Sequence, residues 1–127
     1  MEKKLVLCDT NIIIEFYKGN GKIVEKLQKI GVENIVISSV TAAELVFGAI
    51  NKKELKTIIA DIAQLNLTPL NEIISEQFLK LMQQYSLSHR LDIPDALIAA
   101  TALVNDLELY TLNVKHFKYI HKLKLYQ

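Results

Sequence analysis

The stretch Leu5-Val6-Leu7-Cys8-Asp9-Thr10-Asn11 decides the fold class. Its first four residues are apolar and too few for a helix, so they predict a short strand buried on both faces. Asp, Thr and Asn end such a strand and are common at helix N-caps, and a helix is predicted next, at 12–18. A buried strand that turns directly into a helix is typical of a parallel α/β sheet.

The rest of the chain continues this alternation of strands and helices. Further strands are predicted at 35–37, 67–70, 109–111 and 123–126. Further helices are predicted at 23–30, from a cap at Ser38 or Ser39 to 50, and at 53–65, 72–87, 93–105 and 114–120. This order predicts one α/β domain over 1–127, with a central, mainly parallel sheet of four or five short strands flanked by helices. Strand C-termini and helix N-termini then meet at one edge, where such sheets bind ligands.

The composition excludes several classes of protein. Half of the 127 residues are hydrophobic and 23% are charged, which is too apolar for a disordered chain. The apolar runs are far shorter than the roughly 20 residues of a membrane span, so no membrane partner is expected. The one cysteine, Cys8, is predicted to be a buried, inert thiol, and a reduced, cytoplasmic location fits best.

The net charge of +1 is unevenly distributed. The segment 111–127 contains four lysines and no acidic residue, so the remainder of the chain is acidic. A basic tail can bind a polyanion, or it can be a solvated end of the chain. The sequence leaves both interpretations open.

Acidic and amide side chains fall at the predicted ligand edge from four separate stretches. Asp9 follows the first strand, Glu44 lies early in the third helix, Asp95 follows the Pro94 that opens another helix, and Asn113 follows the fourth strand. Three carboxylates so close together repel one another unless a cation neutralises them. Oxygen ligands without His or Cys suit Mg²⁺ or Mn²⁺, and such a site is typical of phosphoryl or phosphodiester chemistry.

Each acid also has a purely structural interpretation. Asp9 can be the N-cap of the first helix. Glu44 can belong to a narrow solvent-facing stripe with Thr41 and Gly48. Asp95 can complete a capping box that begins at Asp92.

Four motifs resemble those of PIN-domain nucleases. They are LCDTNIII at 7–14, SSVTAAEL at 38–45 with Gly48, IPDALIAATA at 93–102 and LYTLNVKHF at 109–117. Their order and spacing are similar to those of the VapC-type toxins of prokaryotic toxin–antitoxin pairs, along almost the whole chain.

The resemblance implies a Mg²⁺- or Mn²⁺-dependent endoribonuclease that a cognate antitoxin inhibits. It also implies a homodimer, alone or within a heterotetramer or larger assembly with the antitoxin. Asp9, Glu44 and Asp95 take the places of the family's three acidic residues, which are the metal ligands and catalytic groups. Asn113 falls where many members have Asp, and this departure questions a second metal ion. Supporting roles fall to three further residues: Thr10, Asn11 and Thr111.

Basic residues are candidates for contacts with the RNA backbone. Lys115, Lys118 and Arg90 lead this group, and Lys52, Lys53 and Lys56 are further candidates. Contacts to phosphates make binding weaker at high salt. The three histidines, which are His89, His116 and His121, do not pair with the acids at ligand spacing and are not predicted to bind metal.

Other functions remain open at this point. One is a non-catalytic PIN-fold module that binds RNA or protein, and another is a PIN nuclease of RNA processing that is not a toxin. A receiver domain or a haloacid-dehalogenase-like phosphatase fits less well. Receivers need an acidic pair after the first strand, and the phosphatases need Asp-x-Asp where this chain has Asn11.

Overall fold

The computed structural model of the chain describes residues 4–127. Its strands are β1 (Val6–Cys8), β2 (Ile35–Ser38), β3 (Asn66–Thr68) and β4 (Glu108–Tyr110). Its helices are α1 (Thr10–Tyr17), α2 (Gly21–Ile30), α3 (Ser39–Phe47), α4 (Lys52–Ile62), α5 (Glu72–His89) and α6 (Ile93–Val104). Short 3-10 turns occupy Val32–Asn34 and Val114–His116. None of the helices in this part of the chain is long and apolar enough to cross a bilayer.

The four strands form one parallel sheet in the order β3-β2-β1-β4. Successive side chains of a strand point to opposite faces, and the buried residues divide accordingly. Leu7 joins the core on the α5 and α6 side, whereas Val6 and Cys8 join the core on the α1, α2 and α4 side. The predicted α/β class and parallel sheet are therefore confirmed, and β1 lies in the interior of the sheet.

The register of β1 and β4 positions the ligand edge. Cys8 is opposite Tyr110, and the backbone N–H of Asp9 donates to the Tyr110 carbonyl at 2.9 Å. Asp9 and Thr111 therefore both lie one residue beyond paired strand ends. β2 ends at Ser38, which caps α3 through the Thr41 N–H at 3.1 Å. The carboxyl ends of three strands thus bring polar side chains to one edge.

Several predicted boundaries are wrong for identifiable reasons. The third strand is Asn66–Thr68 and not 67–70, because Pro69 has no N–H to donate to a sheet. The first strand begins at Val6, and Leu5 is exposed. The third helix ends at Phe47, where the Gly48 N–H closes the last turn, so it does not reach 50.

The C-terminal segment is less regular than predicted. The helix expected at 114–120 is one 3-10 turn, Val114–His116, followed by further turns that bury Phe117 and Ile120. The strand expected at 123–126 is a single parallel bridge from Leu125 to Leu109. The N–H groups of Phe117 and Ile120 each bond to the carbonyl three residues earlier, as in a 3-10 helix, and both side chains lie in the core.

Candidate functional site

Asp9 is a buried carboxylate, with 5% of its surface exposed, at the end of the interior strand β1. It is the N-cap of α1, as its structural interpretation predicted, and its Oδ1 accepts from the Thr10 N–H at 2.8 Å. Its Oδ2 accepts from the Thr111 hydroxyl at 2.7 Å and from Asn11 Nδ2 at 3.3 Å. These bonds fix both oxygens, so capping and a role in the site are compatible.

Asn11 and Thr111 support Asp9 together. Asn11 Oδ1 accepts from the Leu112 N–H at 3.2 Å, and Thr111 Oγ1 accepts from the Asn113 N–H at 3.0 Å. The loop after β4 is thereby tied to the loop after β1. Asn113 contributes a backbone N–H to this arrangement, and its side chain is exposed.

Glu44 reaches the site through Thr10. The Thr10 hydroxyl donates to Glu44 Oε1 at 2.6 Å and lies 3.0 Å from Thr41 Oγ1. Glu44 is exposed, but Thr41 is completely buried and lies 3.4 Å from Ser38 Oγ. The interpretation of Thr41 and Glu44 as one solvent-facing stripe is therefore wrong, because the Thr41 hydroxyl faces the strand ends.

Asp95 lies in the first turn of α6. Asp92 is the N-cap of this helix, and its Oδ1 accepts from the Asp95 N–H at 2.9 Å, which is the N-cap half of the predicted capping box. The Asp95 carboxylate is left for another partner, and its Oδ2 lies 3.3 Å from His116 Nδ1. Asp95 keeps 19% of its side chain exposed, whereas His116 is 57% exposed.

Asp9 interacts electrostatically with both of the other acids. Burial raises the pKa of Asp9, the Thr111 and Thr10 hydrogen bonds lower it, and the negative charge of Glu44 raises it again. The pKa of Asp95 rises to about 6, first through burial and then through the charges of Asp92 and Asp9. In the part of the chain that the structure describes, His116 is the one basic residue that forms an ion pair with any of these acids. The edge is therefore short of positive charge.

A hard divalent cation fits this set of donors. Carboxylate oxygens are the ligands that Mg²⁺ and Mn²⁺ prefer, and the excess negative charge favours a bound cation. Across residues 4–127, however, no group of three or more His, Cys, Asp or Glu side chains is already gathered closely enough to hold an ion. Asp9 is fixed, so Glu44 is the acid that reorients most easily, because exposed side chains change rotamer rapidly.

The candidate RNA-binding residues are exposed. Lys115 and Lys118 flank His116 in the segment that follows β4, and Arg90 ends α5 in a left-handed conformation with φ of 58°. Through His116, Asp95 contacts the segment that carries Lys115 and Lys118. Lys52, Lys53 and Lys56 are also on the surface to differing degrees, and they lie on α4, apart from these two segments.

Sequence reasoning missed two members of the site. Thr41 was detectable, because Ser38 followed three residues later by Thr41 is the spacing of an N-cap. The contact of His116 with Asp95 joins residues 21 positions apart and has no local signal. The predicted burial of Cys8 is confirmed, and burial raises the pKa of its thiol to about 12, with the neighbouring Asp9 charge adding to the rise.

Known proteins are similar to this chain in sequence and in fold. The profile of the PIN domain matches residues 6–122. Ribonuclease VapC10 from Mycobacterium tuberculosis is 34% identical over 122 residues, which is 94% of this chain and 91% of that protein. Ribonuclease VapC19 from the same organism is 34% identical over 114 residues, which is 87% of this chain and 90% of that protein.

A solved structure agrees with these sequence matches. In the structure of VapBC-1 from nontypeable Haemophilus influenzae, the matching chain is 30% identical to this one. The superposition has a TM-score of 0.82 and covers 97% of both chains. The fold and the site therefore define a PIN domain. Within that class, the chain belongs to the VapC-type toxins of toxin–antitoxin pairs.

Proposed function

We propose that the chain is a Mg²⁺- or Mn²⁺-dependent endoribonuclease and the toxin component of a toxin–antitoxin pair, acting in the cytoplasm. One observation carries the metal-dependent part of this proposal. Asp9 is a buried carboxylate oriented by three hydrogen bonds; the charge of Glu44 raises its pKa, and its own charge raises the pKa of Asp95. Burying carboxylates close together costs free energy, and a bound cation would offset the part of that cost that hydrogen bonds leave uncompensated.

The residues of the site would have different roles in binding the cation and the substrate. Asp9, Glu44 and Asp95 would hold the cation, and Asn113 would add an amide oxygen. Thr111 and Asn11 orient Asp9, and the Thr10 hydroxyl orients Glu44. His116, whose Nδ1 lies 3.3 Å from Asp95 Oδ2, would orient that carboxylate. The amide at Asn113 adds no charge, so one cation is favoured over two.

The cation itself supplies chemistry that the side chains lack. When bound, Mg²⁺ or Mn²⁺ lowers the pKa of a water molecule and stabilises the negative charge that develops on a phosphodiester during hydrolysis. The protein supplies the place and the orientation of the ligands. The relatives named ribonuclease support RNA as the substrate class.

A cleavage assay tests the nuclease proposal. Purified protein is incubated with labelled single-stranded RNA in Mg²⁺, in Mn²⁺ and with excess chelator. We expect cleavage with either ion and none with chelator, and the Asp9→Asn variant controls for contaminating nucleases. Equal cleavage by wild type and Asp9→Asn contradicts the assignment.

The toxin role and the partners need a test in cells. The VapBC-1 structure supports a cognate antitoxin as partner, and a homodimer, alone or in a larger complex with the antitoxin, belongs to the same proposal. We expect expression to arrest growth and co-expression of the neighbouring small gene to relieve the arrest. Growth without arrest, together with metal-dependent cleavage in vitro, favours a PIN nuclease of RNA processing instead.

A non-catalytic binding module is the second candidate function. It is favoured by the absence, within residues 4–127, of a preformed group of three metal ligands. This candidate predicts RNA binding without cleavage in any divalent ion. The assay above therefore separates the two.

A further inference from the structure

An aromatic stack lies at the end of α5. The rings of His89 and Tyr119 are parallel, with an interplanar angle of 11° and centroids 4.0 Å apart. The Tyr85 centroid is 5.7 Å from His89 and 5.1 Å from Tyr119. Because these two distances are similar, Tyr85 lies beside the pair and leaves the outer face of His89 uncovered.

The stack is anchored on its inner side and open on its outer side. Tyr85 is buried, and its hydroxyl accepts from the His121 N–H at 3.1 Å. Ser88 Oγ lies 2.7 Å from His89 Nδ1, which fixes the orientation of the imidazole ring. His89 nevertheless stays exposed, and Tyr119 is partly buried. The result is a flat, oriented ring that faces solvent.

The stack adjoins the acidic site through both of its chain segments. His89 ends α5, and the short loop after it leads to Asp92 and Asp95 at the start of α6. Tyr119 follows His116, the residue in contact with Asp95, by three positions. Burial raises the pKa of Tyr119, and the charges of Asp95 and Asp92 raise it further, so the ring lies within electrostatic reach of both acids.

Basic residues border the stack. Arg90 directly follows His89, and Lys118 directly precedes Tyr119, and both are exposed. Among the ion pairs of residues 4–127, none includes either residue. A planar ring with flanking cations and a carboxylate site nearby matches what unpaired nucleotides need, because bases stack on aromatic rings and phosphates bind cations.

We propose that the outer face of His89, supported by Tyr119, stacks on one unpaired base of a single-stranded RNA and thereby places the adjoining phosphodiester at Asp95. Arg90 and Lys118 bind the backbone on either side of this base. The proposal rests on the proposed ribonuclease function, since it names a substrate contact of that site. Recognition by stacking is tolerant of base identity, because every base has an aromatic face.

Binding measurements with matched variants test this contact. The probe is a short oligouridylate that carries one 2-aminopurine, whose fluorescence falls on stacking and is little quenched by neighbouring uridines, and the Asp9→Asn background prevents cleavage. We expect His89→Ala to weaken binding about tenfold and to remove the quenching, and His89→Tyr to restore both. Leu87→Ala, at a position 89% exposed on the same helix, is the control and should change neither.

Kinetics of the active protein separate this proposal from the nuclease proposal. In the wild-type background, His89→Ala should raise KM about tenfold and change kcat little, because stacking binds the substrate and does not touch the reacting atoms. If wild type cuts RNA but His89→Ala binds and quenches like wild type, the stacking contact is wrong and the nuclease proposal stands. If wild type neither binds nor cuts RNA, both proposals fail.

Discussion

Asp9 and Asp95 stand at the same edge of the sheet, but the chain holds them in different ways. Asp9 is 5% exposed and accepts hydrogen bonds from one backbone N–H and two side chains. Asp95 has 19% of its side chain exposed, and its side-chain partner is His116, itself 57% exposed. Asp9 is fixed by three hydrogen bonds within the fold, whereas Asp95 is partly exposed and contacts one exposed side chain.

The comparison shows that the fold fixes the orientation of Asp9, whereas the protonation of Asp95 varies with pH. The orientation of Asp9 is set by strand ends and loops before any ligand arrives. The charge of Asp95 depends on solution conditions, because its pKa of about 6 lies close to neutrality. Changes around Asp9 should therefore act on the rate of the reaction, and changes at Asp95 should also act on the pH dependence of stability.

The largest effect is expected at the buried member of the comparison. Asp9→Asn keeps the shape and the N-cap but removes a charge, so we expect RNA cleavage to fall by about two orders of magnitude or more. The melting temperature should not fall, since burial already disfavours the charge. Asp106→Asn is the matched control, because it makes the same exchange at a residue with 83% of its side chain exposed and should leave cleavage within about threefold of wild type.

Loosening Asp9 without removing it gives a smaller effect. Thr111→Val deletes the hydroxyl that donates to Asp9 at 2.7 Å, and we expect about a tenfold loss in kcat/KM. Thr101→Val makes the same exchange at a buried threonine that bonds the Leu97 carbonyl inside α6. It should cost about 1 kcal/mol of stability and no activity. Equal activities of the two variants would show that the orientation of Asp9 is unimportant.

The surface member of the comparison is tested through pH. The pKa of Asp95 is about 6 in the folded protein against 3.8 as its ordinary value, so the folded state holds a proton that the unfolded state has released between these values. Protonation of Asp95 therefore contributes fully to the free energy of unfolding below about pH 4, and this contribution is lost as the pH rises through 6. In chelator, Asp95→Asn should therefore raise the free energy of unfolding at pH 7 by up to about 3 kcal/mol, with a corresponding rise in melting temperature.

Thermal melts between pH 3.5 and 8 measure this gain. It should disappear at the acidic end, where Asp95 is protonated in both states. Glu76→Gln, at an exposed position of α5, should show no such pH-dependent gain. If the gain at pH 7 persists unchanged to pH 3.5, the ionisation of Asp95 is not its cause.

The smallest effect is expected at Lys118, one of the exposed basic residues beside the aromatic stack. Lys118→Gln should weaken binding to single-stranded RNA a few-fold and reduce the slope of log K against log salt by about 0.7. Lys29→Gln, on α2, removes the same charge at a residue that pairs with Glu25 at 3.9 Å, and it should leave the slope unchanged. An unchanged slope for Lys118→Gln removes this residue from the RNA-binding surface.

The sequence predicts the interior of the fold better than its margins. β1 and β2 are apolar on both faces, and a short run of that kind is typical of a strand buried within a parallel sheet. β3 is an edge strand with Leu67 44% exposed, so its hydrophobicity is weak evidence for its limits, and Pro69 decides where it ends. The segment after β4 is shaped by the burial of Phe117 and Ile120, which is a tertiary effect.

The site is predictable where one residue follows one strand. The position of Asp9 at the edge of the sheet follows from the parallel strands alone. The positions of Glu44 and Asp95 at the same edge follow from their places near the N-termini of two helices, once the topology is known. The link from Thr10 to both Glu44 and Thr41 needs the packing of α1 against α3. The contact of His116 with Asp95 and the stack of His89 on Tyr119 depend on how an irregular segment folds over α5 and α6, which no local pattern encodes.

The most direct test is a titration of isotope-labelled protein with Mg²⁺, followed by NMR signals of the aspartate and glutamate carboxyl groups. We predict that the signals of Asp9, Glu44 and Asp95 shift together with one binding curve, and that Asp9→Asn abolishes the shifts at the other two. If none of the three signals moves while the protein stays folded, or if each responds with its own affinity, the three acids do not form one metal site.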